Sequence, residues 1–127
     1  MALNQNLFLG NKGEEAAVNF LKGKGYKILA RNYRTTLGEI DIIAKDKDTL
    51  CFIEVKTRRS DRAGLPAEAV SALKQKQISK AALSFLKGKN LLDTKARFDV
   101  ISVIYAQDSP SIDLIKDAFE LQGRFIY

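Results

Sequence analysis

Gly38-Glu39-Ile40-Asp41-Ile42-Ile43-Ala44, the tetrapeptide Lys45-Asp46-Lys47-Asp48, and Thr49-Leu50-Cys51-Phe52-Ile53-Glu54-Val55-Lys56-Thr57 form the stretch that decides the fold. Two runs rich in β-branched residues flank a charged spacer, the pattern of two strands joined by a polar turn. With residues 45–48 as a four-residue turn, Ala44 faces Thr49, Asp41 faces Phe52 and Glu39 faces Glu54. Side chains alternate along each strand. Ile40, Ile42, Cys51, Ile53 and Val55 then share an apolar face that should meet a helix, and Glu39, Asp41, Glu54 and Lys56 share the other. On that second face Glu39 and Glu54 are opposed like charges with Asp41 on the diagonal, an unfavourable arrangement unless a cation offsets it. Lys56 is one such cation. A divalent metal is the other, because carboxylates, a backbone carbonyl and waters make a hard oxygen site suited to Mg²⁺ or Mn²⁺. An amphipathic hairpin with a wet acidic face accounts for the same residues, and a one-residue change of register would split the cluster.

Upstream of the hairpin, Ala16, Ala17, Phe20 and Leu21 recur at helical spacing, so residues 10–24 are expected to be helical, with Gly25 as the stop. Residues 26–34 read as a strand. Downstream, residues 58–65 (RRSDRAGL) read as a polar loop and Pro66 as a helix start. That helix is expected to run to about Lys87, burying Val70, Leu73, Ile78, Ala81, Phe85 and Leu86, with Gly88 ending it. Residues 96–106 and 111–119 read as further strands. The order α-β-β-β-α-β-β indicates an α/β domain, a mixed sheet flanked by helices. No repeat or linker divides residues 1–127, so one domain is expected.

The 127 residues include 21 Lys+Arg and 15 Asp+Glu, no His, no Trp and one Cys. Without His there is no Ser-His-Asp triad, no Cys-His pair and no imidazole base. One Cys allows neither an internal disulfide nor a thiolate cluster, which fits the cytoplasm, and neither a leader pattern nor a membrane span is read. Catalysis must therefore run on carboxylates, lysine, hydroxyls, backbone amides or an oxygen-bound metal. The net charge of +6 is uneven: residues 56–97 hold 11 Lys+Arg against Asp61, Glu68 and Asp93. A basic stretch beside an acidic remainder points to a polyanion, most simply nucleic acid, although lysines that merely solvate helix faces would look the same.

Asp41 followed by Glu54-Val55-Lys56 resembles the D…ExK signature of the PD-(D/E)XK nuclease superfamily, whose fold is restriction-endonuclease-like. Around it stand Gly13-Glu14-x-x-Ala17, Gly25-Tyr26-x-Ile28-Leu29-x-Arg31-Asn32-x-Arg34, Gly38-Glu39-Ile40-Asp41-Ile42-Ile43-Ala44, Ile53-Glu54-Val55-Lys56-Thr57-Arg58 and Arg97-Phe98-Asp99-Val100, in that order. Together these resemble the bacterial YraN-type family of predicted endonucleases, which is similar to the archaeal Holliday-junction resolvases. The resemblance implies that Asp41 and Glu54 bind one or two Mg²⁺ or Mn²⁺ ions with the Val55 carbonyl. It implies that Lys56 orients or activates the attacking water, and that Glu14 is a further acid beside the metal. The superfamily's usual Pro before the Asp is Ile40 here, and Glu39 precedes it, as a third acid or as a partner for Arg31 or Arg34.

On helical geometry Glu14 lies roughly 60° from the centre of the apolar stripe, near enough to reach the sheet, whereas Glu15 lies nearly opposite. Glu14 also suits a helix N-terminus through the dipole alone. Arg58, Arg59 and Arg62, and Lys74, Lys76 and Lys80 on the helix, are the expected phosphate contacts. Lys74 has a second reading beside the active site, but an exposed helix lysine is the one favoured. Tyr26, Tyr33 and Phe98 could stack on bases, though strand aromatics more often fill a core. Thr57 should point to the opposite face, Cys51 should be core, and Asp99 should pair with a nearby arginine. The expected function is a metal-dependent endonuclease acting on DNA, branched or structured DNA by the resemblance, with no membrane partner. The alternatives are a non-catalytic nucleic-acid-binding module on the same fold, or an adaptor for an acidic protein. Phe119, Leu121, Phe125, Ile126 and Tyr127 would serve a homodimer interface or cap the core.

Overall fold

The structure is a computed structural model that describes residues 2–59, 70–106 and 109–121, with side chains from Leu9 onward. The chain runs α1 (Ala2–Gly23), β1 (Lys27–Arg34), β2 (Glu39–Asp46), β3 (Thr49–Arg58), α2 (Ala72–Gly88), β4 (Ala96–Ile104) and β5 (Ser111–Phe119). Leu50, Cys51, Phe52 and Ile53 are all buried, so β3 is apolar on both faces and needs a layer on each. α1 supplies one layer, with Ala17, Val18 and Leu21 packed on Ile42, Ile53, Ile101 and Val103. α2 supplies the other, with Ile78, Ala81, Ala82 and Phe85 packed on Ile43, Phe52, Phe98 and Val100.

The five strands lie in chain order. β1–β2, β2–β3 and β4–β5 are antiparallel, and β3–β4 is parallel. A parallel neighbour cannot be reached by a tight turn, and α2 makes the crossover. The protein is thus α/β, a five-stranded mixed sheet with two helices, consistent with a restriction-endonuclease-like fold. Among the described residues no helix is long and apolar enough to cross a membrane.

Several sequence expectations need correction. The β2–β3 turn has two residues, not four, because Asp46 pairs with Thr49 and Lys47 takes the left-handed conformation at φ 56°. The register therefore moves by two, Ile42 facing Ile53, so Asp41 faces neither Phe52 nor Glu39 Glu54. A two-residue shift preserves the faces, and Ile42, Cys51 and Ile53 stay together on the α1 side. Ile40 does not, for it belongs to the α2 core. Its β1 partner is Tyr33, next to Asn32, whose φ of 50° interrupts the alternation of β1.

α2 begins at Ala72 rather than Pro66, because the Ser71 hydroxyl accepts the Lys74 N–H at 3.1 Å and caps the helix there. Pro66 itself lies outside the described residues. Leu73 is 67% exposed, not buried. Counting back one turn from buried Ile78 reaches Lys74, so the inward stripe holds a lysine where a leucine was expected.

Candidate active site

The hairpin strands part company where the carboxylates stand. β2 stays on β1 as far as Arg34–Glu39, and β3 stays on β4 as far as Arg58–Ile104. Between β2 and β3 the last paired residues are Ile42 and Ile53. The sheet forks from that point, and Asp41 and Glu54 are the next residues on its two arms. A fork leaves backbone groups without a ladder partner. The Asp41 side chain answers one of them, as the Val55 N–H donates to Asp41 Oδ2 at 2.8 Å. In an extended strand the N–H and C=O of one residue project to the same edge, so the Val55 carbonyl opens into the fork too. A cavity of about 360 Å³ fills it, lined by Leu9, Gly10, Glu14, Asp41, Glu54, Val55, Lys56 and Thr57.

Glu54 is only 7% exposed. Burial, then the adjacent Asp41 charge, push its carboxyl up to about 7, against the opposing pull of Lys74 and Lys56. Burial also raises Asp41, opposed by the Val55 N–H and Lys74. The two carboxyls are neighbours across the fork, and each acts on the ionisation of the other. Lys56 Nζ stands 3.9 Å from Glu54 Oε1, and Lys74 Nζ stands 4.0 Å from the same oxygen. Glu14 enters from α1. It is raised by burial and then by Asp41, with Asn32 and Arg31 opposing. Its neighbour Glu15 points away and accepts from Arg31 Nη1 at 2.7 Å.

Asp41, Glu54, Val55, Lys56 and Glu14 thus line one cavity, the set expected from the sequence. Glu39 does not join them: its Oε2 is 3.6 Å from Arg34 Nε at the sheet edge. Lys74, expected on the outer face, is turned to the carboxylates and is 38% exposed. The signal that would have found it is its place one turn before Ile78 on the apolar stripe. Arg58 and Lys80 are half-buried, Arg59 and Lys76 are exposed, and Arg62 lies outside the described residues.

Tyr33 packs edge-on against Phe85, Phe98 stacks on Phe119 at 5.0 Å, and the Tyr26 hydroxyl accepts from Arg97, so all three aromatics serve the fold. Asp99 is fully buried and accepts from Arg97 Nε at 3.0 Å, the arginine partner its setting demanded. Cys51 is fully buried, as expected. Phe119 is core and Leu121 is 44% exposed, while Phe125, Ile126 and Tyr127 lie outside the described residues.

Among the described residues, no three His, Cys, Asp or Glu side chains form a ready metal cage. The donor set is two carboxylates and a strand carbonyl open to a cavity. That set fits Mg²⁺ or Mn²⁺, which bind through one or two carboxylates and fill the remaining positions with water and phosphate.

Residues 13–103 match the model of the Uncharacterised protein family UPF0102. The chain belongs to this family. A UPF0102 protein of Geotalea uraniireducens is 52% identical over 117 residues, 91% of this chain and 92% of the relative. One from Syntrophus aciditrophicus is 52% identical over 119 residues, 94% of each chain. One from Geobacter metallireducens is 53% identical over 116 residues, 91% of this chain and 95% of the relative. The YraN-type kinship expected from the motifs is borne out.

Proposed function

We propose that this UPF0102 protein is a metal-dependent endonuclease that hydrolyses phosphodiester bonds in DNA, with branched or structured DNA as the preferred form. The observation that carries the reading is the convergence of Asp41, Glu54 and Lys56 where the sheet forks. A buried carboxylate beside a half-buried one makes a poor structural device, because burial raises both and the Asp41 charge raises Glu54 further. They make a good seat for a hard cation, and Asp41, Glu54 and the Val55 carbonyl would hold it. When bound, that cation supplies charge to polarise the phosphoryl oxygen and a lowered pKa for water. The chain's own residues do the rest. Lys56 places a positive charge and hydrogen-bond donors at the cavity, where charge develops on the phosphoryl oxygens. Asp41 also clamps the Val55 amide, which fixes the arm of the fork carrying Glu54 and Lys56. Arg58, Arg59, Lys76 and Lys80 would contact phosphates without reading sequence.

The test is incubation of pure protein with linear duplex, single-stranded, flap and four-way-junction DNA, in Mg²⁺, Mn²⁺ or EDTA. Cleavage is expected with metal only, and Asp41→Asn and Lys56→Met should each lower it by about a hundredfold or more. DNA binding without cleavage of any substrate by the wild type would favour the non-catalytic module instead.

A further inference from the structure

Two lysines from different elements meet at one carboxylate oxygen. Lys56 reaches Glu54 Oε1 along β3, and Lys74 reaches it from α2. Neither is close enough for a hydrogen bond, so each ion pair is loose and can be exchanged. Lys74 is also an anomaly in its own helix. It stands on the stripe that continues with Ile78, Ala82 and Phe85, the side that packs on the sheet. A lysine there is disfavoured unless something negative faces it. The facing groups are Glu54, at 4.0 Å, and Asp41, on which Lys74 also acts electrostatically. Its backbone is held by the Ser71 cap, so the first turn of α2 presents this side chain from a fixed point.

We propose, resting on the nuclease reading, that Lys74 is a positioning residue of the active site. It holds Glu54 while the carboxylates lack a cation and turns to the phosphate when they have one. With Glu14, Asp41 and Glu54 ionised, Lys56 and Lys74 leave the cluster one negative charge, which a divalent cation turns into one positive charge. A phosphodiester carries one negative charge, and its hydrolysis transition state carries two. Lys74 thus supplies positive charge beside the carboxylates against the negative charge gained on the way to the transition state. Charge of that kind lowers the barrier rather than KM. Lys74 also opposes cation binding, since it is a like charge beside the same carboxylates.

Lys74→Met, Lys74→Arg and, as a control for charge loss at the far end of α2, Lys89→Met test this. Mn²⁺ affinity is read by isothermal titration calorimetry, and kcat and KM on whichever DNA the wild type cuts. Lys74→Met should bind Mn²⁺ at least about threefold more tightly while its kcat falls by about tenfold or more at little-changed KM. Lys74→Arg should restore both toward wild type, and Lys89→Met should change neither. Circular dichroism checks the fold of each variant. Unchanged Mn²⁺ affinity in Lys74→Met overturns the proposal. So does a kcat loss that Lys74→Arg fails to restore at all. A wild type that binds Mn²⁺ without cutting DNA overturns the nuclease reading alone, and the calorimetric difference still decides whether Lys74 faces the carboxylates.

Discussion

Gly13 stands in the middle of α1, where alanine would be the better helix former by about 1 kcal/mol. A Cβ there would overlap the Thr57 side chain, so glycine lets the α1 backbone lie against β3 at this point. The next residue is Glu14, which explains how a helix carboxylate reaches the edge of the fork. Overlap should outweigh propensity. Gly13→Ala is expected to destabilise the fold by about 1–3 kcal/mol in urea denaturation, and adding Thr57→Ala, which removes Oγ1 and Cγ2, should recover part of the loss. Gly38→Ala should have no such remedy, because its Cβ would strike the backbone carbonyl of Gln77 on α2. Ser102 lies beside Lys56 in the β3–β4 register and is fully buried, yet its hydroxyl has no hydrogen-bond partner among the described residues. Burying an unpaired hydroxyl is unfavourable, so Ser102→Ala should be neutral or stabilising in the same assay, in contrast to both glycine variants.

Elements show which features can be read from a chain and which cannot. β5 falls on Ser111–Phe119, the range read from the chain, and Ile42, Cys51 and Ile53 keep a common face despite a wrong turn length because the shift was even. The turn itself was illegible: Lys47 adopts a positive φ that its residue type does not announce. The same holds for the left-handed Asn32 and for Ile40, which packs on the α2 side rather than with Ile42. Asp41, Glu54 and Lys56 were legible by type and spacing. Lys74 was not, because a helix lysine is read as exposed until the phase of the helix is known. Asp99 lies between these cases. Its arginine could be foreseen, but not its second task of accepting the Asp117 N–H at 2.9 Å, where Asp117 sits at φ 55° in the β5 bulge. Asp99 therefore ties a strand irregularity to Arg97, which also donates to Tyr26 and Asp46. Removing it takes the fully buried partner from a largely buried guanidinium, which keeps Asp46 and Tyr26, and frees the bulge. Asp99→Ala should lose about 2–3 kcal/mol of stability, and Arg97→Met should lose less in the Asp99→Ala background than in the wild type.

At the scale of the molecule, the sheet separates two kinds of polar interior. The fork collects acids that burial holds high, with the Asp41 charge adding to it at Glu14 and Glu54, which invites a cation. The other lies on the α1 side, where Tyr26, Asp46, Cys51, Arg97 and Asp99 meet with no open fork among them, and two of its acids are expected to weaken the fold at alkaline pH. Burial, then the Asp99 charge, push the Cys51 thiol from 9.0 up to about 12. Burial likewise pushes Tyr26 from 10.0 up to about 12, with Arg97 opposing. Both acids are harder to ionise in the folded chain than in the unfolded one. Below pH 9 neither ionises in either state, and their contribution to stability is fully present. Above pH 9 for the thiol, and above 10 for the phenol, the unfolded chain releases protons that the folded chain keeps, so stability is lost progressively toward pH 12. The melting temperature should accordingly hold level from pH 7.5 to 9 and fall steeply beyond, with thiolate absorbance appearing only as the protein melts. Cys51→Ala should start from a lower melting temperature, because it leaves a small core cavity, yet fall less steeply between pH 9 and 11. Parallel slopes for the two proteins would show that the thiol is not the group the fold protects, and thiolate absorbance in the folded protein at pH 10 would show the same directly.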